Sequence, residues 1–271
     1  VQYKKLATNF SMALLRLRGW HKKHQKKSNQ TEFLKFHEII NDQLDRGILE
    51  RVKALGTLEE VSQNMALNPH AYDKLAALPG HKVVHYIPWH GVYKAATGKL
   101  RIVSDAKARP FKGAYSLNDC LETGPDLMNS LYIILLKFRI KQTGCKADIE
   151  KAFLTVEIDE TDRDALRLLW LEGETVWVIR FARLPFGLTF SPFILAAVLQ
   201  NHLAESSVPQ DFQNFILSAF YVDDNIFSCE TLEEILNLME IMITEFAKAG
   251  MNLRQWNSNF KILREKIQEN W

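Results

Sequence analysis

Three aspartates carry the strongest chemical signal in this sequence: Asp148, Asp223 and Asp224. Asp223 and Asp224 are adjacent, with apolar, aromatic and β-branched residues on both sides, which predicts a hairpin with the acids at its tip. Charges at the tip of an otherwise buried hairpin need a compensating ion or partner, and a divalent metal that handles phosphates is the obvious candidate. Taken alone, two acids at a turn are more often ordinary turn residues.

Asp148 strengthens the metal hypothesis, because it lies at the end of a predicted strand over 142–149, 75 residues before Asp223. Side chains at the ends of two neighbouring strands can converge, and such carboxylates can hold two Mg²⁺ ions roughly 3.5–4 Å apart, as in-line phosphoryl transfer requires. Without compensation the carboxylates would repel one another and raise their own pKa values. That cost favours metal binding over a purely structural role.

The pattern along the chain predicts an α+β protein whose strands and helices position these acids. Residues 1–53 show apolar residues at helical spacing, and residues 54–80 are typical of an insertion with short helices. The other predicted elements are a strand at Val83–Ile87, a basic hairpin at Gly91–Val103, a helix over 125–140, a hairpin at Arg167–Phe181, a helix at Ser191–Ala204, a strand at Phe215–Phe220 and a helix over 231–249 with a capping box at its start.

The composition, 47% hydrophobic and 24% charged with a net charge of +2, is that of an ordinary globular protein, and its longest apolar runs are too short to span a membrane. Positive charge is concentrated, since residues 1–53 hold twelve Lys and Arg against five Asp and Glu, which suggests a surface for a polyanion. A solvated basic face explains the lysines of His21–Lys27 equally well. The three cysteines fit neither a zinc site nor a disulfide framework, so we expect reduced thiols in an intracellular compartment.

Three segments, in order, resemble the motifs of one enzyme family. Lys146–Phe153 resembles the first catalytic motif of reverse transcriptases, Leu184–Pro192 their template and nucleotide-pocket segment, and Tyr221–Asp224 their second catalytic motif. The spacings agree, with 38 residues from Asp148 to Phe186 and 37 more to Asp223.

Further segments narrow the resemblance to the polymerase of BEL/Pao-type LTR retrotransposons. They are Tyr86–His90, Leu100–Ala106, Ser116–Asp119, Gly124-Pro125 and Leu253–Asn259. The resemblance covers roughly residues 31–260. It implies the fingers and palm of a right-hand polymerase, with an antiparallel palm sheet backed by helices. We expect an N-terminal helical region at 1–80, fingers with the basic hairpin at 81–145, a palm at 146–255 and the start of a thumb at 256–271. The thumb would be mostly absent, as in a piece of a longer protein.

The resemblance also implies roles for individual residues. Metal binding falls to Asp148, Asp223, Asp224 and the Ile149 carbonyl. Nucleotide binding falls to Lys94, Arg101, Asp105, Phe153, Phe186 and Gly187. Template or primer binding falls to Tyr221, Pro185 and Trp256. The local chemistry agrees for Arg101, because a planar guanidinium suits bidentate phosphate contact, although an exposed strand charge is the ordinary alternative for Arg101 and Lys94.

The resemblance implies different roles for two phenylalanines, Phe153 and Phe186. Phe153 occupies the steric-gate position, where a bulky ring collides with a ribose 2′-OH and selects deoxynucleotides, although its apolar neighbours also suit a core residue. Phe186 stands where many retroviral-type enzymes carry Gln, and Phe cannot donate a hydrogen bond, so the way a nucleotide is positioned there differs.

The implied activity is RNA-directed DNA polymerisation, a nucleotidyl transfer that uses two Mg²⁺ ions, with Mn²⁺ as a substitute. The implied partners are an RNA or DNA template with its primer, dNTPs, and the protease, RNase H and integrase domains of a retroelement polyprotein, with no membrane. The location would be a cytoplasmic retroelement particle or the nucleus. The alternative is a catalytically inactive or domesticated remnant that binds nucleic acid or acts as a scaffold; the presence of all three acids argues against it.

Overall fold

The protein was analysed as a computed structural model, which describes residues 6–26, 30–72, 83–95 and 97–270. The chain forms two compact units. The first unit consists of Val1–Glu122 with Glu157–Ser191, and the second of Thr123–Val156 with Pro192–Trp271. Each unit therefore combines two separate stretches of sequence.

Within the described residues, the first unit contains one antiparallel sheet, a separate hairpin and four helices. The sheet has the strand order β1-β6-β5, and β2 pairs with β3. Its elements are α1 (Phe10–His24), α2 (Gln30–Asp45), β1 (Leu49–Thr57), α3 (Leu58–Leu67), β2 (Trp89–Tyr93), β3 (Leu100–Ser104), α4 (Leu117–Cys120), β5 (Arg167–Glu172) and β6 (Thr175–Phe181).

Helices α1 and α2 pack against β2 and β5 through a cluster of aromatic side chains. Trp20 lies with its ring centroid 5.3 Å from that of Trp89 and 5.3 Å from that of Trp170. Phe36 completes the cluster at 5.4 Å from Trp20 and is almost fully buried. Because offset and edge-on aromatic pairs add stability beyond the apolar area they bury, this cluster fixes the two N-terminal helices on the hairpin and on β5.

A buried charge cluster ties β5 to β6. Asp164 is fully buried, with Oδ1 3.0 Å from Arg167 Nε and 2.9 Å from Arg180 Nη1. Burial alone would raise the pKa of Asp164, but the hydrogen bonds and charges of Arg167 and Arg180 outweigh it and lower that pKa below its ordinary value. The carboxylate is thus held ionised between two arginines.

In its described part, the second unit contains a four-stranded antiparallel sheet, strand order β7-β8-β4-β9, and five helices. Its elements are α5 (Leu131–Phe138), β4 (Thr143–Ile149), α6 (Ser191–Ala204), α7 (Gln210–Ser218), β7 (Phe220–Tyr221), β8 (Asp224–Cys229), α8 (Leu232–Lys248), β9 (Leu253–Ser258) and α9 (Lys261–Asn270). The predicted capping box of α8 is present, since Glu234 N donates to the Thr231 hydroxyl at 3.2 Å while the Glu234 carboxylate accepts from Thr231 N.

The α+β prediction is confirmed, and four element assignments are wrong. Val83–Ile87 forms no strand, and within that segment only Tyr86 makes an isolated bridge, to Arg167. Residues 215–218 close helix α7 rather than a strand, and only Phe220–Tyr221 is extended. The helix predicted over 125–140 spans only Leu131–Phe138. Strand β1 lies inside the region predicted to be helical. Its residues alternate too weakly between apolar and charged types to indicate a strand, and pairing with β6 supplies what the local sequence lacks.

The expected divisions at 1–80, 81–145, 146–255 and 256–271 stay predictions, and part of the insertion expected at 54–80 lies outside the described residues. No helix in the described ranges is both long and apolar enough to cross a lipid bilayer.

We expect Asp164→Asn to lower the free energy of unfolding by about 3–5 kcal/mol, because it leaves two buried guanidinium groups without their shared counter-charge. Urea unfolding followed by circular dichroism would measure this. Asp45→Asn, at an exposed position in α2, is the matched control and should change stability by less than about 0.5 kcal/mol. Since the pKa of Asp164 is lowered by folding, its contribution is complete above the unfolded pKa and is lost as the pH falls through the folded one. Equal stability of the two variants would contradict this role.

Candidate active site

The two adjacent aspartates lie where the sequence predicts them, at the turn between β7 and β8. Tyr221 pairs with Asp224 across the turn, and Val222 and Asp223 form its tip. Val222 has a φ of 58°, which is costly for a β-branched residue, so the surrounding structure must hold this conformation. One such restraint is the hydrogen bond from Ile149 N to Asp223 O, 3.0 Å long, which joins the tip to the end of β4.

Asp148 joins this pair through the register of the sheet. In β4 it lies opposite Asp224 of β8, and directly opposite residues of an antiparallel pair project from the same face. The structure therefore brings Asp148 and Asp224 together on one face of the sheet, with Asp223 at the adjoining tip. The convergence expected from the sequence is present in the backbone register.

The side chain of Arg254, which the sequence analysis did not identify, lies in line with Asp148 and Asp224 across the sheet. Arg254 of β9 lies opposite Asp148 on the other side of β4. A bulge in β9 places it there, because Gln255 has a φ of 54° and the register slips by one residue between the pairs formed by Lys146 and by Asp148. With regular pairing, Gln255 would stand opposite Asp148 instead.

Arg254 is itself held by neighbouring polar groups. Its Nη1 lies 3.0 Å from Glu150 Oε1, and Asn252 Nδ2 donates to Glu150 Oε2 at 3.1 Å. The sequence does carry one sign of this bulge, because the apolar residues Leu253 and Trp256 lie three positions apart and so break the alternation of a regular strand.

The pKa values of these acids are shifted in the direction that favours binding of a cation. Burial raises the pKa of Asp148; the charge of Arg254 lowers it, and that of Asp224 raises it again. Burial likewise raises the pKa of Asp223, and the charges of Asp224 and Asp148 add to the effect. In addition, Asp148 Oδ1 is buried without a hydrogen-bond partner, which is costly for a carboxylate oxygen.

These features suit a divalent metal in their donor chemistry, since Mg²⁺ prefers carboxylate oxygens and Asp148 offers one that is unsatisfied. Within the described ranges, however, no three His, Cys, Asp or Glu side chains are already grouped as a preformed metal centre. The side chains of Asp148, Asp223 and Asp224 would therefore have to turn toward a common ion. The Ile149 carbonyl, at a fully buried residue, stays a prediction as a further ligand.

Asn129, which the sequence analysis did not identify, holds the segment that leads into the β7–β8 turn. Asn129 Nδ2 donates to Leu217 O at 2.7 Å and to Phe220 O at 3.0 Å. Leu217 lies in the last turn of α7, and Phe220 is the first residue of β7. Asn129 therefore fixes the path by which the chain leaves α7 and enters β7.

The remaining residues expected in the second unit are Phe153, Tyr221 and Trp256. Phe153 lies in a 3₁₀ turn over Ala152–Thr155 and is 8% exposed, which suits both a core residue and a sugar-contacting ring. Tyr221 is half-buried beside the acids. Trp256 is buried, and its indole NH donates to Leu253 O at 3.2 Å, so its contact with template or primer stays a prediction.

The expected phosphate-binding residues lie on the β2–β3 hairpin of the first unit. Arg101 is opposite Val92, and both are exposed on one face of the hairpin. Lys94 follows β2 on the same alternation, and its N donates to Lys99 O at 2.9 Å. Asp105, also expected to contact nucleotide, is paired with Arg16 of α1 at 2.9 Å.

The loop expected to line the nucleotide pocket is held by Asn118. Its Nδ2 donates to Gly187 O at 2.8 Å, and its Oδ1 accepts from Thr189 N at 3.0 Å. Phe186 projects from this loop with 51% of its surface exposed, whereas Pro185 is buried. Gly187 has a φ of 91°, a conformation that other residues rarely adopt. The side chain that could stack on a base is thus presented by a restrained loop.

Sequence comparison identifies a family. A profile of the reverse transcriptase (RNA-dependent DNA polymerase) family matches residues 116–262, which include all three aspartates, Asn118 and Arg254. A comparison with curated protein sequences gives no match.

Solved structures with a similar fold come from foamy viruses. A foamy viral protease-reverse transcriptase in complex with double-stranded DNA has a TM-score of 0.56 at 20% identity over 81% of this chain. A second such complex gives 0.53 at 20% identity over 81%, and the native Prototype Foamy Virus protease-reverse transcriptase 0.52 at 18% over 79%. The chain spans 30%, 35% and 22% of the lengths of those three chains. The likeness confirms the expected fold class, a polymerase domain of helices and antiparallel sheets.

We expect Asp223→Asn to stabilise the metal-free protein by roughly 0.5–2 kcal/mol at neutral pH, the range typical of relieving an unfavourable site. A carboxyl whose pKa is raised by folding destabilises the folded state at pH values above both pKa values, so the difference between variant and wild type should vanish as the pH falls. Chemical unfolding between pH 4 and pH 8 would measure this.

Added Mn²⁺ should stabilise the wild type by mass action and should leave Asp223→Asn nearly unaffected. Asp211→Asn, exposed at the start of α7, is the control and should respond to Mn²⁺ as the wild type does. Equal stabilisation of all three proteins by Mn²⁺ would exclude Asp223 from metal binding.

Proposed function

The chain belongs to the reverse transcriptase family, and on that premise we propose that it catalyses template-directed addition of dNTPs to a primer 3′-OH by two-metal phosphoryl transfer. The observation that carries this proposal is the row of Asp224, Asp148 and Arg254 across three neighbouring strands, with Asp223 at the adjoining turn. The sequence segments similar to BEL/Pao elements support the finer assignment to a polymerase of that type. The foamy viral relatives are named as protease-reverse transcriptases, which supports a polyprotein context.

The acids would hold the catalytic cations, which we infer to be two Mg²⁺ ions. Carboxylates of Asp148, Asp223 and Asp224 would be the ligands, and the bound ions would acidify the attacking 3′-OH and neutralise charge on the departing pyrophosphate. The chain itself supplies the placement. The hydrogen bond between Ile149 and Asp223, together with Asn129, keeps the acidic turn at the end of β4.

Nucleotide and template recognition would use residues of the β2–β3 hairpin, the Ala152–Thr155 turn and the loop that carries Phe186. Arg101 and Lys94 would bind the triphosphate, with Arg101 offering a planar fork of donors. Phe153 would exclude the ribose 2′-OH. Phe186 would stack on a base and, unlike Gln, would add no hydrogen bond.

Phosphate contacts by basic residues would supply most of the affinity for an RNA or DNA template with its primer. The alternative, a non-catalytic nucleic-acid-binding remnant, has no need for Asp148 and Asp224 in register with Asp223 at the adjoining turn.

The decisive test is extension of an oligo(dT) primer on poly(rA) with dTTP and Mg²⁺. We expect Asp223→Asn to lose roughly a hundredfold or more in kcat, the scale for removing a group that stabilises transition-state charge. Its Kd for primer–template should stay within about twofold of wild type, since phosphate contacts dominate that affinity. Asp211→Asn should retain activity. Incorporation by Asp223→Asn at the wild-type rate would refute the mechanism, and no incorporation by any of the three proteins would favour the non-catalytic alternative.

Sugar selection gives a separate prediction. Phe153→Val should lower the ratio of kcat/KM for dTTP to that for UTP by about 10- to 100-fold, because the smaller side chain leaves room for the 2′-OH. Phe153→Tyr keeps the ring and should keep the selectivity. If both variants discriminate as the wild type does, Phe153 is a core residue and the gate lies elsewhere.

A further inference from the structure

Phe186 is exposed, yet the backbone on either side of it is fixed. Leu184 and Leu188 are buried, whereas half of the surface of Phe186 is in contact with solvent. The φ of Gly187 is 91°, and a Cβ on this residue would lie 3.6 Å from Ser104 O, so the loop runs beside the end of β3. The direction of the Phe186 ring therefore depends on what holds the backbone that follows it.

The side chain of Asn118 makes two hydrogen bonds to this backbone. Its Nδ2 donates to Gly187 O at 2.8 Å, and its Oδ1 accepts from Thr189 N at 3.0 Å. The donor and the acceptor of one amide are thus both used, on backbone groups that flank Leu188. A carboxylate could only accept and an ammonium could only donate, so this pair of contacts calls for an amide side chain.

Asn118 is itself fixed by helix α4. The helix begins with a capping box, in which Asp119 N donates to the Ser116 hydroxyl at 3.2 Å and Ser116 N donates to Asp119 Oδ2 at 2.8 Å. Arg109 Nη2 lies 3.0 Å from the same Asp119 oxygen, and Leu117 is buried. Short-range contacts therefore determine where the Asn118 side chain lies.

The backbone of Asn118 is also joined to the segment that leaves β3. Asn118 N donates to Ala106 O at 3.1 Å. Asp105, the residue between β3 and Ala106, is paired with Arg16 of α1 at 2.9 Å. Since β3 carries Arg101, one residue contacts both the loop that presents Phe186 and the segment that follows the basic hairpin.

We propose that Asn118 is a positioning residue that sets the distance between the ring of Phe186 and the guanidinium of Arg101. These are the groups proposed to contact a base and the triphosphate. Asn118 acts through the backbone of Gly187 and Thr189 and itself touches no substrate. The inference rests on the proposed function for the roles of Phe186 and Arg101, but the contact of Asn118 with the loop can be measured without it.

The first measurement is amide hydrogen exchange of Thr189 in the full chain. Asn118→Ala removes the acceptor and should speed this exchange about threefold to tenfold, the effect of one neutral hydrogen bond. Asn118→Asp keeps an acceptor, so the exchange rate should stay within about twofold of the wild-type rate. Asn41→Ala, at an exposed position in α2, is the control and should exchange as the wild type does.

The second measurement separates positioning from damage to the catalytic centre. In primer extension, Asn118→Ala should raise KM for dTTP about threefold to tenfold while kcat stays within about twofold, since the loop is displaced and the acids are not. Asn118→Asp retains the contact with Thr189 and loses the one with Gly187, so its KM should rise by less. Asn41→Ala should match the wild type in both constants.

The third measurement tests whether Asn118 acts through Phe186. Phe186→Ala alone should raise KM for dTTP, because the ring is lost. Adding Asn118→Ala to Phe186→Ala should then raise KM by less than about twofold further, since there is no longer a ring to position. A general weakening of the loop would instead add its full effect in both backgrounds.

The outcomes are distinct. Unchanged exchange of Thr189 in Asn118→Ala overturns the inference, and so does faster exchange with an unchanged KM. Additive effects of Asn118→Ala and Phe186→Ala on KM would also overturn it, as would a fall in kcat equal to the rise in KM. If the wild type fails to extend primers while Asn118→Ala still speeds the exchange of Thr189, the proposed function fails and the restraint of the loop by Asn118 stands.

Discussion

The mutual repulsion of carboxylates on neighbouring strands is the constraint on which the second unit depends. Asp148 and Asp224 are cross-strand partners, a placement that is destabilising for like charges, and Asp223 adjoins them. Burial and this repulsion together raise the pKa of Asp223. A fold keeps such an arrangement only if the backbone around it is over-determined, and β4 achieves this by having β8 on one side and β9 on the other.

The bulge in β9 and the hydrogen bonds to the β7–β8 turn both compensate for that repulsion. The bulge in β9 exchanges a neutral Gln255 for a charged Arg254 opposite Asp148, and Glu150 in turn orients the guanidinium. The unfavourable φ of Val222 is tolerated because the turn is tied on one side to Ile149 and on the other, through Phe220, to Asn129. Local strain and like charge are thus concentrated at one end of the sheet, where β4 and the β7–β8 turn meet, as is typical of functional sites.

The sequence predicted the acids and their neighbouring strands because spacing and residue type carry that information directly. It failed where tertiary pairing overrides local preference. The apolar run Phe215–Phe220 is compatible with a buried helix as well as with a strand. In the structure its first four residues form the last turn of α7, and Phe220 begins β7. Strand β1 has few apolar residues and exists because β6 offers it a partner. Arg254 was missed for a third reason, since the break in alternation between Leu253 and Trp256 indicates an irregular strand but not which of its residues lies opposite Asp148.

In the first unit, positively charged side chains lie on a two-stranded hairpin, an element that has little stability of its own. The β2–β3 hairpin exposes Arg101 and Lys94 on one face and can be anchored only through the other. Gly91 lets the ring of Phe36 approach the backbone, and Leu100 lines the same space, so the position of the hairpin depends on α2. Elements of low intrinsic stability are the ones that can move when a ligand binds, and packing against a neighbouring helix limits that movement. The placement of these two exposed basic side chains therefore depends on a helix that precedes the residues matched by the family model.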